Sequence, residues 1–468
     1  MAAVELTELS LAKASGLIRE RKISPVDLTK ACLERIAALE PRLNAFITLT
    51  DDQALAAARE AENAIGRGEH RGPLHGVPMA LKDIFGLAGV RMTAASKILS
   101  DNVAAEDATT TARLKAAGAV ILGKLNLHEF AFGATGVSPH FGPARNPWDT
   151  DRVTGGSSSG SGASVAAGEC FAALGTDTGG SIRIPASLCG IVGLKPTYGR
   201  VSKRRVLPLS WSLDHIGPLA RMVEDAAILL QAIAGHDPLD GSSADEPVPD
   251  YIATLRDGIS GLRVGMPKQF FFDNLDPEVE EAVTAAIKTL SGLGANVAEV
   301  SLPHIADIPG ALTAIMLPEA LAYHHKWVAE RPEDYGDDIR YRLELGATYL
   351  AVHYVQAQRL REMAVQAWRE QVFSQVDLLV TPTTAIPAPP IEKDDSPAGL
   401  QTTFNLIRFT NPVNFLGLPA ISLPCGFTDA SLPIGLQLIG RWWDEATVLR
   451  AAHAYEQATD WHKRRPPL

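Results

Sequence analysis

Four cysteines in 468 residues, with no CxxC pair and no regular spacing, give no basis for a disulfide framework or a cysteine-built metal site. Cys32, Cys170, Cys189 and Cys425 instead suit reduced thiols packed as small apolar side chains in a reducing compartment. No run approaches the ~18 apolar residues of a membrane span. Glu5, Glu8, Lys13, Arg19 and Glu20 interrupt the first thirty residues, so no secretory leader is expected. Positive charge is in deficit: 43 Lys and Arg against 54 Asp and Glu leave a net charge of −11, which argues against a general nucleic-acid binder. Lys203, Arg204 and Arg205 form only a local basic patch. His128-Glu129 and His324-His325 lack HExxH or any other metal spacing, so neither metal nor cofactor is expected. A soluble, cytoplasmic protein with a small-molecule substrate is the expectation.

The remaining composition, 46% hydrophobic and 21% charged, is that of a globular chain. Ser24-Pro25 opens a helix with Leu28, Cys32, Ile36 and Leu39 at helical spacing, and Pro41 is expected to stop it. An alanine-rich helix follows over 53–65. GVPMALKDIF (76–85) is short and apolar and predicts a buried strand carrying Lys82. A helix over 109–117 and a strand over 119–122 come next. Beyond a polar stretch near 242–250, LRVGMP predicts a strand, Asp276-Pro277 opens a helix, and 296–301 is a further strand. A helical segment over 343–372 leads to a strand at 377–381 and a proline-rich loop. This alternation indicates an α/β fold, one domain over 1–468 with a central mixed sheet covered by helices on both faces. Within it, 1–70 is expected to be a helical N-terminal region, 71–235 a core, and 236–468 a second α/β portion.

From Thr154 to Gly199 glycine, serine, alanine and threonine dominate. Such composition usually marks a linker, but VAAGECFAAL and SLCGIVGL are too apolar to stay solvated, and a buried, tightly turning region accounts for them better. A lysine on a buried strand is costly to keep charged. Its neighbour Asp83 points to the opposite face of a strand, which leaves Lys82 without a local ion-pair partner and makes a depressed pKa plausible. Ser157, Ser158 and Ser159 lie in GGSSSGSG, which also fits a GxSxG elbow centred on Ser158. The preceding NPWDTDRVT is turn-like rather than a buried strand, which weighs against that elbow. In GTDTGGSIRIPAS, the backbone N–H groups of Thr178, Gly179 and Gly180 before Ser181 can form an anion-binding nest. No Lys-Ser/Thr pair follows these glycines, as a phosphate-binding loop requires. Ser10-Leu11-Ala12-Lys13 matches SxxK but stands alone on a surface-type helix.

Taken together, GVPMALKDIFG, GGSSSGSGASVAAG, GTDTGGSIRIPASLCGIVGLKPTYGRVS, RFTNPVNFLGLPAISLPCGF and LPIGLQLIG closely resemble the amidase signature family, from the first helices to near the end of the chain. The resemblance implies a serine amidohydrolase in which Ser181 is the nucleophile, Ser157 a bridging serine in a cis peptide, and Lys82 the ultimate base. It further implies oxyanion N–H groups from Thr178, Gly179 and Gly180, and supporting roles for Ser158 and Asp177. Thr154 departs from the proline that relatives often carry before the double glycine, and lies outside the triad. Homodimers are common among such relatives.

The same core occurs in the glutaminase component of tRNA-dependent amidotransferases. Where that component carries an ARYDGVRYG-like stretch, this chain has AIMLPEALAYHHKWVAERPEDYG, and VLPLSWSLDHIGP, with Trp211 and His215, replaces an AFASSLDQIGP-like stretch. These differences point to a free-standing hydrolase of a small amide, anilide or carbamate, with the amidotransferase component as the alternative. Phe130, Phe132, Trp211 and Met316 are the candidates for an apolar substrate pocket, and each could equally belong to the core.

Overall fold

The computed structural model describes residues 3–392 and 397–468. Strands β1 (Phe46–Leu49), β2 (Pro78–Lys82), β3 (Val120–Leu125), β4 (Arg145–Asn146) and β5 (Asp149–Val153) come first. Next are β6 (Ala172–Asp177), β7 (Val192–Lys195), β8 (His215–Ala220), β9 (Arg263–Pro267) and β10 (Asn296–Val300). The last are β11 (Leu378–Pro382), β12 (Ala420–Phe427) and β13 (Pro433–Gly440). Eleven of them form one mixed sheet in the order β1-β3-β2-β6-β8-β7-β12-β13-β11-β9-β10, and β4 pairs only with β5. Strands from both halves of the chain meet where β7 pairs antiparallel with β12, so a single sheet runs through the molecule, flanked by helices. Among the described residues no helix is long and apolar enough to cross a membrane.

β2 lies between β3 and β6, parallel to both, and all five of its residues are buried. A strand covered on both faces can be apolar throughout, as Met79, Ala80 and Leu81 are; Lys82 is the exception. The Gly/Ser/Ala segment is buried almost without interruption from Val153 to Ser202 and forms β6, β7 and the helices Ser159–Ala167 and Arg183–Cys189. Small side chains let these elements approach closely: a Cβ on Gly175 would sit 2.8 Å from Ser158 Oγ.

Three local expectations are corrected. Pro41 lies inside the helix Pro25–Leu43 and does not stop it. The proline forgoes its own N–H bond and crowds the carbonyl one turn back, yet the helix runs two residues further and closes at Asn44, left-handed at φ 50°, whose N–H bonds Glu40 O. The segment 343–372 is not one helix but Asp337–Gly346, Ala351–Ala367 and a wide turn over Trp368–Val372. The break falls at Gly346, where a Cβ would come within 2.6 Å of Leu317 O on the crossing helix Ile308–Glu330. NPWDTDRVT contributes a real strand, β5, but a partly exposed one that pairs with β4 and bridges Pro390, outside the central sheet, so the buried strand a nucleophile elbow requires is absent from that position.

Candidate active site

Lys82 ends β2, and its amine is wholly buried. Nζ donates to Ser157 Oγ at 2.7 Å, Ser158 Oγ at 3.0 Å and Thr176 Oγ1 at 2.9 Å. Asp83 faces the other way, as strand alternation requires, and pairs with Lys124 at 2.8 Å while accepting from Thr93 N and Oγ1. Among the described residues, therefore, no carboxylate holds the Lys82 amine. Burial drives its pKa down to about 7, with the charges of Asp214 and Asp177 opposing the shift.

The three hydroxyls around the amine are not equivalent. Ser158 Oγ donates to Thr176 O at 3.2 Å, so its proton is committed and it meets Lys82 only as an acceptor. Ser157 Oγ has no other hydrogen-bond partner among the described residues, which leaves its proton available to a neutral amine. The Gly156–Ser157 peptide is cis. Ser158 N donates to Ser181 O at 3.3 Å, tying the loop that carries Ser157 to the loop that carries Ser181.

Ser181 follows β6 in a turn before the helix Arg183–Cys189. Asp177, at the end of β6, anchors that turn: its carboxylate accepts from Ile182 N, from Arg183 Nε at 3.0 Å and Nη2 at 2.9 Å, and from Asn414 Nδ2 at 2.8 Å. Burial alone would raise the Asp177 pKa, but the Arg183 guanidinium outweighs it and holds the group well below the usual carboxylate range. Gly180 adopts φ +139°, and its Cβ position is filled by Thr410, so no other residue fits there. The N–H groups of Thr178, Gly179 and Gly180 have no hydrogen-bond partner among the described residues.

Ser181 opens on a cavity of about 160 Å³ walled by Thr178, Gly179, Phe132, Ile184, Leu209, Met316, Leu317, Ile407 and Asn411. Two of the four residues expected there, Phe132 and Met316, are present. Phe130 is not: it and Ala131 both have left-handed backbones in a tight turn beyond β3, and the Phe130 ring packs onto His324, Trp327 and Tyr335. Trp211 is half exposed and lines a different cavity, beside Lys203 and Tyr198. His215 is buried with Nδ1 2.6 Å from Leu213 O, away from the Ser181 cavity.

The chief residue the sequence did not indicate is Arg342, the one charged side chain lining this cavity among the described residues. It comes from the helix Asp337–Gly346, where Asp338 and Arg342 at i,i+4 spacing look like an ordinary surface ion pair. In the fold the pair is mostly buried, at 3.1 Å, and Asp338 also lies 2.9 Å from His128 Nε2. The Arg342 guanidinium reaches the carbonyl of Phe132 at the cavity wall. No group of three His, Cys, Asp or Glu side chains gathers as a metal site among the described residues.

The amidase family profile matches residues 27–449. The chain belongs to the amidase signature family. It is 47% identical over 490 residues to the A component of the glutamyl-tRNA(Gln) amidotransferase of Geobacter sulfurreducens, covering 99% of this chain and 100% of that one. Among solved structures, it is 38% identical to a chain from a vestigial protein complex that reveals the evolutionary origins of an s-triazine catabolic enzyme, with a TM-score of 0.91 over 96% of this chain and 98% of that one. A bacterial aryl acylamidase of the same family superposes with a TM-score of 0.89 at 28% identity, over 97% of this chain and 98% of that one.

Proposed function

We propose that this amidase-family protein cleaves a carboxamide through an acyl-enzyme on Ser181, with Ser157 and Lys82 as proton relay. The observation that carries the reading is the buried Lys82 amine, 2.7 Å from Ser157 Oγ and bonded to no carboxylate among the described residues. With its pKa brought down to about 7, the amine is in part neutral at neutral pH and able to accept a proton. As Ser181 Oγ bonds to the carbonyl carbon, its proton passes to Ser157 and the Ser157 proton to Lys82. The oxyanion is received by the N–H groups of Thr178, Gly179 and Gly180. When the C–N bond breaks, the same relay returns a proton to the leaving nitrogen. Water then enters, gives up a proton along the relay, and releases the acid.

For the substrate, similarity to the A components of glutamyl-tRNA(Gln) amidotransferases, at 44–47% identity over nearly full length, supports a glutaminase component that works with partner chains, over the free-standing hydrolase that the sequence stretches suggested. A cavity whose one charged side chain among the described residues is Arg342 supports an acyl group bearing a carboxylate, which glutamine has. Among the described residues the same cavity offers no carboxylate to receive an α-ammonium, and this favours, as a second reading, a carboxylate-bearing amide without the amino group. Ammonia release from L-glutamine and from glutaramate, which differ only in that amino group, separates the two. A preference for glutamine, enhanced by the partner chains of an amidotransferase, supports the first reading; a preference for glutaramate by the chain alone supports the second. No release from either, nor from a panel of anilides and carbamates, overturns both.

A further inference from the structure

Asp214 immediately precedes β8, whose His215 pairs with Asp177 across the sheet, so its carboxylate lies beside the start of the turn that leads to Ser181. It is buried and serves only as an acceptor. Oδ1 accepts from Thr178 Oγ1 at 2.6 Å and from Ser210 N at 3.1 Å; Oδ2 accepts from Leu209 N at 2.9 Å and Ser210 N at 3.1 Å. Thr178 and Leu209 both face the Ser181 cavity. On its other side Asp214 lines a larger cavity, of about 920 Å³, together with Thr176, whose hydroxyl accepts from Lys82.

We propose that Asp214 is a positioning residue: one carboxylate pins the Thr178 end of the oxyanion-binding turn and the Leu209 wall of the acyl cavity at a fixed spacing. The proposal rests on Ser181 being the nucleophile. Donors meant for a developing oxyanion work only when held in place before the reaction, because a displacement near 1 Å can cost about 100-fold in rate. An asparagine cannot take over the role. It has one acceptor oxygen, and its amide would turn a donor toward the N–H groups of Leu209 and Ser210 or toward Thr178.

The position carries an electrostatic consequence that plain scaffolding would not. Of the charges that favour a protonated Lys82, Asp177 is committed to Arg183 and Asp214 is the other. Lys203 faces Asp214, and Arg204, Asp240 and Glu319 line the same cavity. Lys203 Nζ is engaged by Tyr198 Oη and Trp211 O, and Glu319 by Ser210, Ser212 and Tyr354. Removing the Asp214 charge therefore makes Lys82 easier to deprotonate and moves the acid limb of Ser181 reactivity to lower pH.

The test is the rate at which a fluorophosphonate labels the protein across pH; Ser181 Oγ bonds to phosphorus, fluoride departs, and the serine proton enters the relay. Peptide mapping of the wild type shows whether Ser181 is the labelled residue, and labelling elsewhere removes the nucleophile reading and this inference together. With Ser181 labelled, Asp214→Asn is expected to lower the plateau rate about 100-fold and to move the acid midpoint below that of the wild type. Thr178→Val is expected to lower the plateau without moving the midpoint, Thr178→Ser to restore it, and the double variant to fall short of the product of the single losses. An unchanged plateau in either Asp214→Asn or Thr178→Val, or an unmoved midpoint in Asp214→Asn, overturns the proposal. Should Asp214→Asn fail to fold, the Thr178→Val and Thr178→Ser pair decides it alone.

Discussion

Lys82 and Asp83 are adjacent in the chain at the end of β2, yet their side chains point to opposite sides and do not meet. Asp83 is occupied by Lys124 and Thr93, and the Lys82 amine is left to three hydroxyl groups. Had the two paired, the ammonium would be fixed in its charged form and useless as a base. The alternation of a strand thus separates an amine that can lose its proton from the nearest carboxylate that would prevent it.

Lys82→Ala is expected to lower turnover by at least about 100-fold, the lower end of what a positioned general base contributes. The fold should survive, since the ion pair of Asp83 and Lys124 is untouched, and circular dichroism would show native structure. Near-normal turnover in a folded variant would remove Lys82 from the mechanism. Ser181→Ala should abolish fluorophosphonate labelling, with Ser158→Ala retaining it.

The depressed pKa of Lys82 also predicts a stability signature. The unfolded chain holds the Lys82 proton up to about pH 10.5, whereas the folded protein releases it near pH 7. Between these values the unfolded state binds more protons, so this group makes stability rise with pH, by about 1.4 kcal/mol per unit. Below about pH 7 both states are protonated and its contribution is flat. Lys82→Met removes this one dependence while leaving those of Lys124 and Lys195. Urea unfolding of both proteins from pH 7 to 10 should show the wild type gaining stability relative to the variant. A constant difference would mean the amine stays charged when buried.

Much of this was legible in the sequence because it is local. Ser24 and Asp276 cap the helices their positions announce, β2 is the apolar run around Lys82, and the glycine- and serine-rich block is buried. Strand alternation left Lys82 without a carboxylate, and its meeting with Ser157 and Ser158 was what the family resemblance implied. Of the walls of the acyl cavity, Phe132 and Met316 were legible; Leu209, Arg342 and Ile407 were not, since they arrive from three distant segments and each looks like core or surface in its own neighbourhood. Phe130 misled for a different reason: the left-handed turn at Phe130 and Ala131 is made by residues that do not advertise it.

Arg342 gives the substrate prediction. Its charge lies at the wall of a cavity that is otherwise uncharged among the described residues, and Asp338 keeps it there. A hydrogen bond to a charged group contributes about 1.5–3 kcal/mol, so Arg342→Met should lower kcat/KM for carboxylate-bearing amides by about 10- to 100-fold. A neutral amide of the same length should lose far less. Equal losses for both substrates would show that the arginine supports the wall and does not recognise a carboxylate.

Asp177 and Arg183 form the buried pair on which the Ser181 turn is built, and the two halves of the pair do not cost the same to lose. Asp177→Ala leaves the guanidinium, among the described residues, with the neutral acceptors Gln437, Asn414 and Thr410 O, and breaking a buried pair in this way costs about 3–5 kcal/mol. Asp177→Asn keeps the side-chain shape and one acceptor oxygen and should cost less. Because Arg183 depresses the Asp177 pKa, the stabilisation from this carboxylate is present above the unfolded value of 3.8 and is lost as pH falls below it toward the folded value. The stability gap between wild type and Asp177→Ala should therefore be widest near neutrality and narrow below about pH 4. Urea unfolding at pH 7 and at the acid end of the folded range measures it, and a gap that does not narrow would mean that Asp177 acts through packing and not through its charge.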